Sequence, residues 1–155
     1  MARTRRAHLI SAMKTKPKKR KLKFDPGNFD LKVKRSSAGL GLYTFSEIPK
    51  GSCVIEYVGR FISQAEEYTS NSLYLFEVNS KVTIDGRPKI NKAGYINHSC
   101  RPNCEIEVRK HRVFIMARRN IKEGEELTYD YGKEYWNEHI KPKGCRCLKC
   151  KTRPR

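Results

Sequence analysis

Acidic residues are missing from both ends of this 155-residue chain: no Asp or Glu stands before residue 25 or after residue 138. Residues 1–35 carry 13 Lys and Arg against 2 acids, residues 141–155 carry 7 against none, and residues 36–140 carry 14 of each sign, so the whole net charge of +18 sits in the ends. Bulk charge therefore says nothing about the neutral middle. It does say that the ends meet phosphates, acidic patches or anionic surfaces, with binding that weakens in salt. Long apolar runs are also lacking, which excludes a membrane-spanning helix, and the start has no apolar stretch of the secretory kind. The chain is expected to be soluble and intracellular. Sustained helical periodicity is scarce, being confined to Ser63–Asn71 with Ser63 and Glu66 spaced as a capping box.

What is present instead is a series of short β segments. Phe29, Leu31 and Val33 alternate with Lys32 and Lys34, as in a half-buried strand. Strands are expected at 53–58, 73–78, 82–84, 105–109 and 113–117, separated by glycines or polar turns. Ser37–Tyr43 reads as a Gly39-x-Gly41 turn that lets backbone approach a ligand. Two turns echo each other, Ile48-Pro-Lys-Gly51 and Ile121-Lys-Glu-Gly124. The fold class is mostly β with short helices, and 155 residues suffice for one domain with a real core.

Six cysteines stand at 53, 100, 104, 145, 147 and 150. Without a secretory context, the tight Cys145-x-Cys147-x-x-Cys150 group reads as metal-binding rather than disulfide-bonded, but three ligands are one short of a closed zinc site. The densest chemistry lies in Asn97-His98-Ser99-Cys100-Arg101-Pro102-Asn103. Its amides could hydrogen-bond a polar ligand, His98 and Cys100 could form a base and thiol nucleophile, or both could bind metal. An ordinary turn is the competing reading. Farther on, Thr128-Tyr129-Asp130-Tyr131 in extended form would project Tyr129 and Tyr131 to one face, as a slot or as a buried aromatic pair.

Taken together, Gly39–Tyr43, Glu56-Tyr57-Val58-Gly59, Tyr74-Leu75-Phe76, Ile84-Asp85, Tyr95–Asn103, Gly124–Gly132 and the terminal cysteines resemble the SET-domain family of protein lysine methyltransferases. The likeness covers roughly residues 29–151. It implies a β-clip fold of small sheets with a C-terminal pseudoknot that brings 97–103 against 127–131. It also implies transfer of a methyl group from S-adenosylmethionine to a lysine amine. By resemblance, Tyr131 is the catalytic tyrosine, Tyr57 and Tyr129 line the lysine channel, and Gly39, Leu40, Gly41, Tyr43, Tyr74, Asn97, His98, Tyr131 and Trp136 hold the cofactor. A Tyr at 129, where the family has Phe or Tyr, implies a bias toward monomethylation. The family's C-terminal zinc site takes its fourth ligand from the Asn-His-Ser-Cys stretch, giving Cys100, Cys145, Cys147 and Cys150 around a structural Zn²⁺. The gap between Cys147 and Cys150 is two residues shorter than the family's commonest form. Cys53 and Cys104 remain packing thiols.

The expected organisation is a basic, disordered tail over 1–28, a SET domain over 29–132 and a zinc-binding tail with a basic end over 133–155, in a minimal form like those of bacteria and viruses. The substrate is expected to be a histone or another nucleic-acid-associated protein, with nucleic acid or another polyanion met through the basic ends. The location is cytoplasmic for a bacterial protein, or nuclear if Pro17–Lys21 acts as an import signal. The alternative is an inactive SET-like module that binds zinc and nucleic acid.

Overall fold

The computed structural model describes residues 23–152; the basic stretch 1–22, including the 17–21 run read as an import signal, and residues 153–155 lie outside the described residues. Ten short strands and one regular helix follow in order: β1 (Leu31–Ser36), β2 (Gly39–Thr44), β3 (Cys53–Tyr57), β4 (Arg60–Ile62), α1 (Gln64–Thr69), β5 (Leu75–Asn79), β6 (Val82–Asp85), β7 (Asn97–His98), β8 (Cys104–Arg109), β9 (Arg112–Ala117) and β10 (Thr128–Tyr129). They form four small sheets, β1-β2, β4-β6-β5, β3-β9-β8 and the parallel pair β10-β7. The chain is mostly β with short helices, as its alternation implied.

Local chemistry explains most of these elements. Helix α1 begins at Ser63, whose hydroxyl accepts from the Glu66 N–H while the Glu66 carboxylate accepts from the Ser63 N–H, the reciprocal cap expected from their spacing. The stretch read as a turn over Ser37–Tyr43 is instead a strand from Gly39 onward, paired antiparallel from Ser36↔Gly39 to Leu31↔Thr44. Ser37 and Ala38 make the reversal, and Gly39, which opens the strand with φ 119°, supplies the backbone conformation that follows it. Gly41 is needed inside the strand for a different reason: a Cβ there would sit 2.3 Å from the Glu126 carboxylate.

Helical structure also extends beyond Ser63–Asn71. Lys133–Tyr135, a wide π-type turn at Trp136–Ile140 and a tight turn at Lys141–Lys143 follow one another. Their aromatic residues pack back on the body (below), a tertiary contact that no apolar periodicity announces.

The core joins all these pieces. Leu42, Ile48, Ile96, Val113, Ile115, Ile121 and Leu127 are essentially inaccessible, each worth about 1.5–3 kcal/mol of transfer free energy. The echoing turns meet each other: Ile48 and Ile121 each donate a backbone N–H to the other's carbonyl at 2.9 Å. A smaller cluster of Cys53, Phe114 and Met116 receives Phe24 on the outer face of β3-β9-β8. Among the described residues no helix is long and apolar enough to cross a membrane.

Candidate active site and thiol cluster

The site is built by residues 124–131, which run first along β2 and then along β7. The Gly124 N–H donates to the Thr44 carbonyl at 2.7 Å, Thr44 N–H to Glu125 O at 3.1 Å, and Leu127 N–H to Leu42 O at 2.8 Å. The chain then pairs in parallel, Thr128 with Asn97 and Tyr129 with His98, and Ser99 N–H donates to Tyr129 O at 3.1 Å. Asn103 completes the lacing. Its Nδ2 donates to Glu126 O at 2.8 Å and its Oδ1 accepts from Thr128 N–H at 2.9 Å. Asn103 is only 3% exposed, so this amide is a structural clamp rather than the ligand contact its composition allowed.

This lacing gathers the side chains singled out from the sequence. Asn97 Nδ2 lies 2.8 Å from both Leu40 O and Glu126 Oε1, and 3.4 Å from Ser36 Oγ. Three acceptors around one atom fix it as the nitrogen. Asn97 Oδ1 accepts nothing from the described residues and is left for a donor. Tyr43 reaches the same carboxylate, donating to Glu126 Oε2 at 3.3 Å. Glu126 was not singled out from the sequence, although its place beside Leu127 in the Glu-Leu-Thr-Tyr run was the available signal.

The tyrosines form the adjoining slot. Tyr129 and Tyr131 have ring centroids 4.9 Å apart, confirming that they share a face, and Tyr135 closes on Tyr131 edge-on at 5.0 Å. Tyr131 donates its hydroxyl proton to Ile96 O at 2.6 Å, and Tyr57 donates to Tyr74 O at 2.8 Å. Burial, reinforced by neighbouring tyrosines, pushes the Tyr129 and Tyr131 phenols well above their ordinary range, and burial pushes Tyr57 up to about 12. All three stay protonated at neutral pH. Tyr129 makes no hydrogen bond through its hydroxyl among the described residues, whereas Tyr131 and Tyr57 are fixed by backbone carbonyls. At the rim, Tyr74 packs edge-on to Tyr95 at 6.5 Å; Tyr74 and Leu40 stay 40% and 52% exposed, an apolar surface left open beside polar groups.

His98 stands between the slot and the cysteines. Its Nδ1 accepts from Tyr131 N–H at 3.2 Å, which puts the proton on Nε2, 3.5 Å from Cys100 Sγ. The Trp136 ring lies 5.3 Å from the imidazole. Burial lowers the His98 pKa against the opposing pull of Asp130.

The sulfurs of Cys100, Cys145, Cys147 and Cys150 all lie within 4.8 Å of one another, with Cys100 3.9 Å from Cys145 and 3.7 Å from Cys150. Zn–S bonds of about 2.3 Å in a tetrahedron require S···S edges of about 3.8 Å, so the quartet fits a four-thiolate zinc. The shortened gap closes because Leu148–Lys151 is a helical turn: Cys150 N–H and Lys151 N–H both donate to Cys147 O at 3.0 Å, which folds Cys150 back. Burial raises the Cys147 thiol, but N–H donors from Cys100 and Cys150 outweigh it and bring it down to about 6, toward the thiolate a metal needs. The tail is docked by Ser37 Oγ donating to Arg146 O at 2.8 Å. Cys53 and Cys104 are buried packing thiols, raised by burial to about 11 and about 12.

Small sheets closed by a parallel pair between distant segments, with a cysteine-clasped C-terminal stretch beside an aromatic slot, define a SET-type β fold. Residues 39–132 match the SET domain, and the chain belongs to the SET-domain family. It is 36% identical over 126 residues to Histone-lysine N-methyltransferase 2D of Homo sapiens, covering 73% of this chain and 2% of that protein. It is likewise 36% identical over 138 residues to Histone-lysine N-methyltransferase, H3 lysine-4 specific, of Schizosaccharomyces pombe, covering 81% of this chain and 14% of that one. With Putative histone-lysine N-methyltransferase 1 of Plasmodium falciparum the identity is 40% over 119 residues, 67% of this chain and 2% of that protein. The chain thus spans only a small part of the length of these relatives.

Proposed function

We propose that this chain is a protein-lysine N-methyltransferase that uses S-adenosylmethionine, acts on a histone or another nucleic-acid-associated protein, and favours monomethylation. The observation that carries the reading is the lacing of 124–131 to β2 and β7, which sets neutral tyrosines around the Tyr131 hydroxyl beside Asn97. When bound, the donor supplies an activated methyl on a sulfonium. Asn97 Oδ1 is free to accept from its ammonium, and Leu40 and Tyr74 offer open apolar surface to its less polar parts, with Gly39, Gly41, Tyr43 and Trp136 completing the wall.

The residues of the slot do the rest. Tyr131 donates its hydroxyl hydrogen bond to Ile96 O, so its oxygen lone pairs remain to orient the methyl group and the incoming amine. A lysine entering among Tyr57, Tyr129 and Tyr131 meets a buried slot of neutral hydroxyls, where desolvation disfavours the ammonium and favours the free amine that must attack. Tyr129, with its hydroxyl unengaged by protein, can hold a water where a methylated amine would need room, which gives the monomethyl bias.

Cys100, Cys145, Cys147 and Cys150 hold a structural zinc in this reading, ordering the tail over the channel. The two basic ends meet nucleic acid or another polyanion, which bridges this basic enzyme to a basic substrate that would otherwise repel it. The test is incubation with labelled methyl donor and a panel of histones, bacterial DNA-binding proteins and ribosomal proteins, together with calorimetry of donor binding. Labelled lysine is expected. No measurable binding of S-adenosylmethionine would reject the enzyme in favour of an inactive zinc and nucleic-acid-binding module.

A further inference from the structure

The hairpin joining β8 to β9 ends in Arg109-Lys110-His111-Arg112. Arg109 pairs with Arg112, whereas β3 stops opposite Val113, so this tip projects past the end of the sheet. Lys110 and His111 have φ of 46° and 63°, the two-residue turn in which Asn-Gly is at ease and side-chained residues are strained. The position nevertheless carries two exposed cationic or donor side chains. Arg112 is held by Glu56 at 2.8 and 2.7 Å, and Arg109 lies 5.2 Å from the Phe24 ring. Lys110 has no ion pair or hydrogen bond among the described residues. His111 Nδ1 lies 3.2 Å from Asn79 Nδ2, which as a donor leaves the imidazole Nε2–H for another acceptor.

The root of the basic tail is fixed beside this tip. Phe24 packs on Phe114 at 5.3 Å, Gly27 N–H donates to Cys53 O at 2.9 Å, and Lys23 pairs with Glu107 at 3.1 Å. Lys23, which follows a 22-residue stretch with nine Lys and Arg, therefore stands on the face that bears the tip. We propose that the 109–112 tip and the tail root form one docking face for the phosphate backbone of duplex DNA, a third contact that rests on the reading of the basic ends as polyanion-binding. A duplex fits better than a single strand, because Phe24 and Phe114 are covered by each other and by Arg109 and Arg112 and offer no stacking platform for bases. It fits better than an acidic peptide because a duplex presents charge along a line long enough to meet the tip and the tail root together.

The test measures binding of a random-sequence 30-base-pair duplex to the full chain across a salt series. Three variants are compared: Lys110→Asn with His111→Gly, Lys110→Gln alone, and a tail with Lys18, Lys19, Arg20 and Lys21 changed to Gln. Both tip variants are expected to bind about 3- to 10-fold more weakly with a salt slope shallower by about one, while the Asn-Gly chain melts no lower than the parent. Unchanged affinity and slope in both tip variants, with weakening in the tail variant, would overturn the tip and spare the basic ends. No binding by the parent chain would overturn both. Displacement of the duplex by polyglutamate at equal charge would overturn the choice of DNA.

Discussion

The aromatic slot and the thiol cluster lie on either side of His98, yet they are held by different means. The slot is stitched by backbone hydrogen bonds and the Asn103 clamp onto β2, where Leu42 and Thr44 are fully buried, and onto β7. The cysteine tail, by contrast, reaches the body through Ser37 and through Cys100, whose sulfur and backbone N–H both meet its cysteines, and its Leu148 stays 66% exposed. The core pre-builds one site, while the other depends on what the four sulfurs bind. The two regions can therefore fail separately.

The sharpest blow to the slot is Tyr131→Phe, which removes one hydroxyl without disturbing the lacing. Methyl transfer should fall about 10²–10³-fold in a labelled-donor assay, with the melting temperature lowered by only a few degrees because Ile96 O loses its donor. Undiminished labelling would strip Tyr131 of its role. Next comes Asn103→Ala, which strands two part-buried backbone groups and should cost about 2 kcal/mol in urea unfolding while leaving zinc content intact. If the zinc left with it, the two regions would be one unit. The converse experiment is Cys100→Ser or chelation: zinc content should drop and activity fall about tenfold, with the near-ultraviolet circular dichroism of the tyrosine slot preserved. Zinc retained by Cys100→Ser would break the ligand assignment. The mildest change is Tyr129→Phe, expected to alter the rate by about threefold at most yet shift mass spectra toward di- and trimethylated lysine; that rate margin equals about 0.7 kcal/mol. An unchanged product distribution from an active variant would end the water argument.

Much of this was legible from side-chain chemistry that acts locally. The Ser63–Glu66 cap and the pairing of Tyr129 with Tyr131 on one face depend on neighbours two or three residues away; the alternation of β1 marked a strand, but its expected buried face holds only Leu31, with Val33 exposed. The four cysteines were found through family resemblance, since spacing alone gave three. Strand β2 was hidden because glycines weaken strand propensity, and Gly41 is explained only by Glu126, which arrives from a distant segment. For the same reason Asn103 read as a ligand contact: its clamp on Glu126 and Thr128 exists only after the parallel pair has formed. The helical turns after Gly132 are set by Tyr135 and Trp136 packing on Tyr131 and His98, a tertiary cause with no periodic trace. Phe24, seven residues ahead of β1, gave no signal at all.

The threading of 124–131 also fixes a sequence of events during synthesis. Residues 31–117 can leave the ribosome with three of the four sheets formed, but β10 and the Leu127 side chain that fills the core emerge only afterwards. Until then the edge of β2 and the pocket awaiting Leu127 stay uncovered, the kind of surface that chaperones recognise and that aggregates when left alone. The Asn97–Thr128 pairing closes a loop of some thirty residues, and the Leu42–Leu127 bond closes one of more than eighty, so both are formed against chain entropy late in folding. A nascent chain stalled just short of residue 124 would carry nearly the whole domain, and neither Tyr129 nor Tyr131 of the slot.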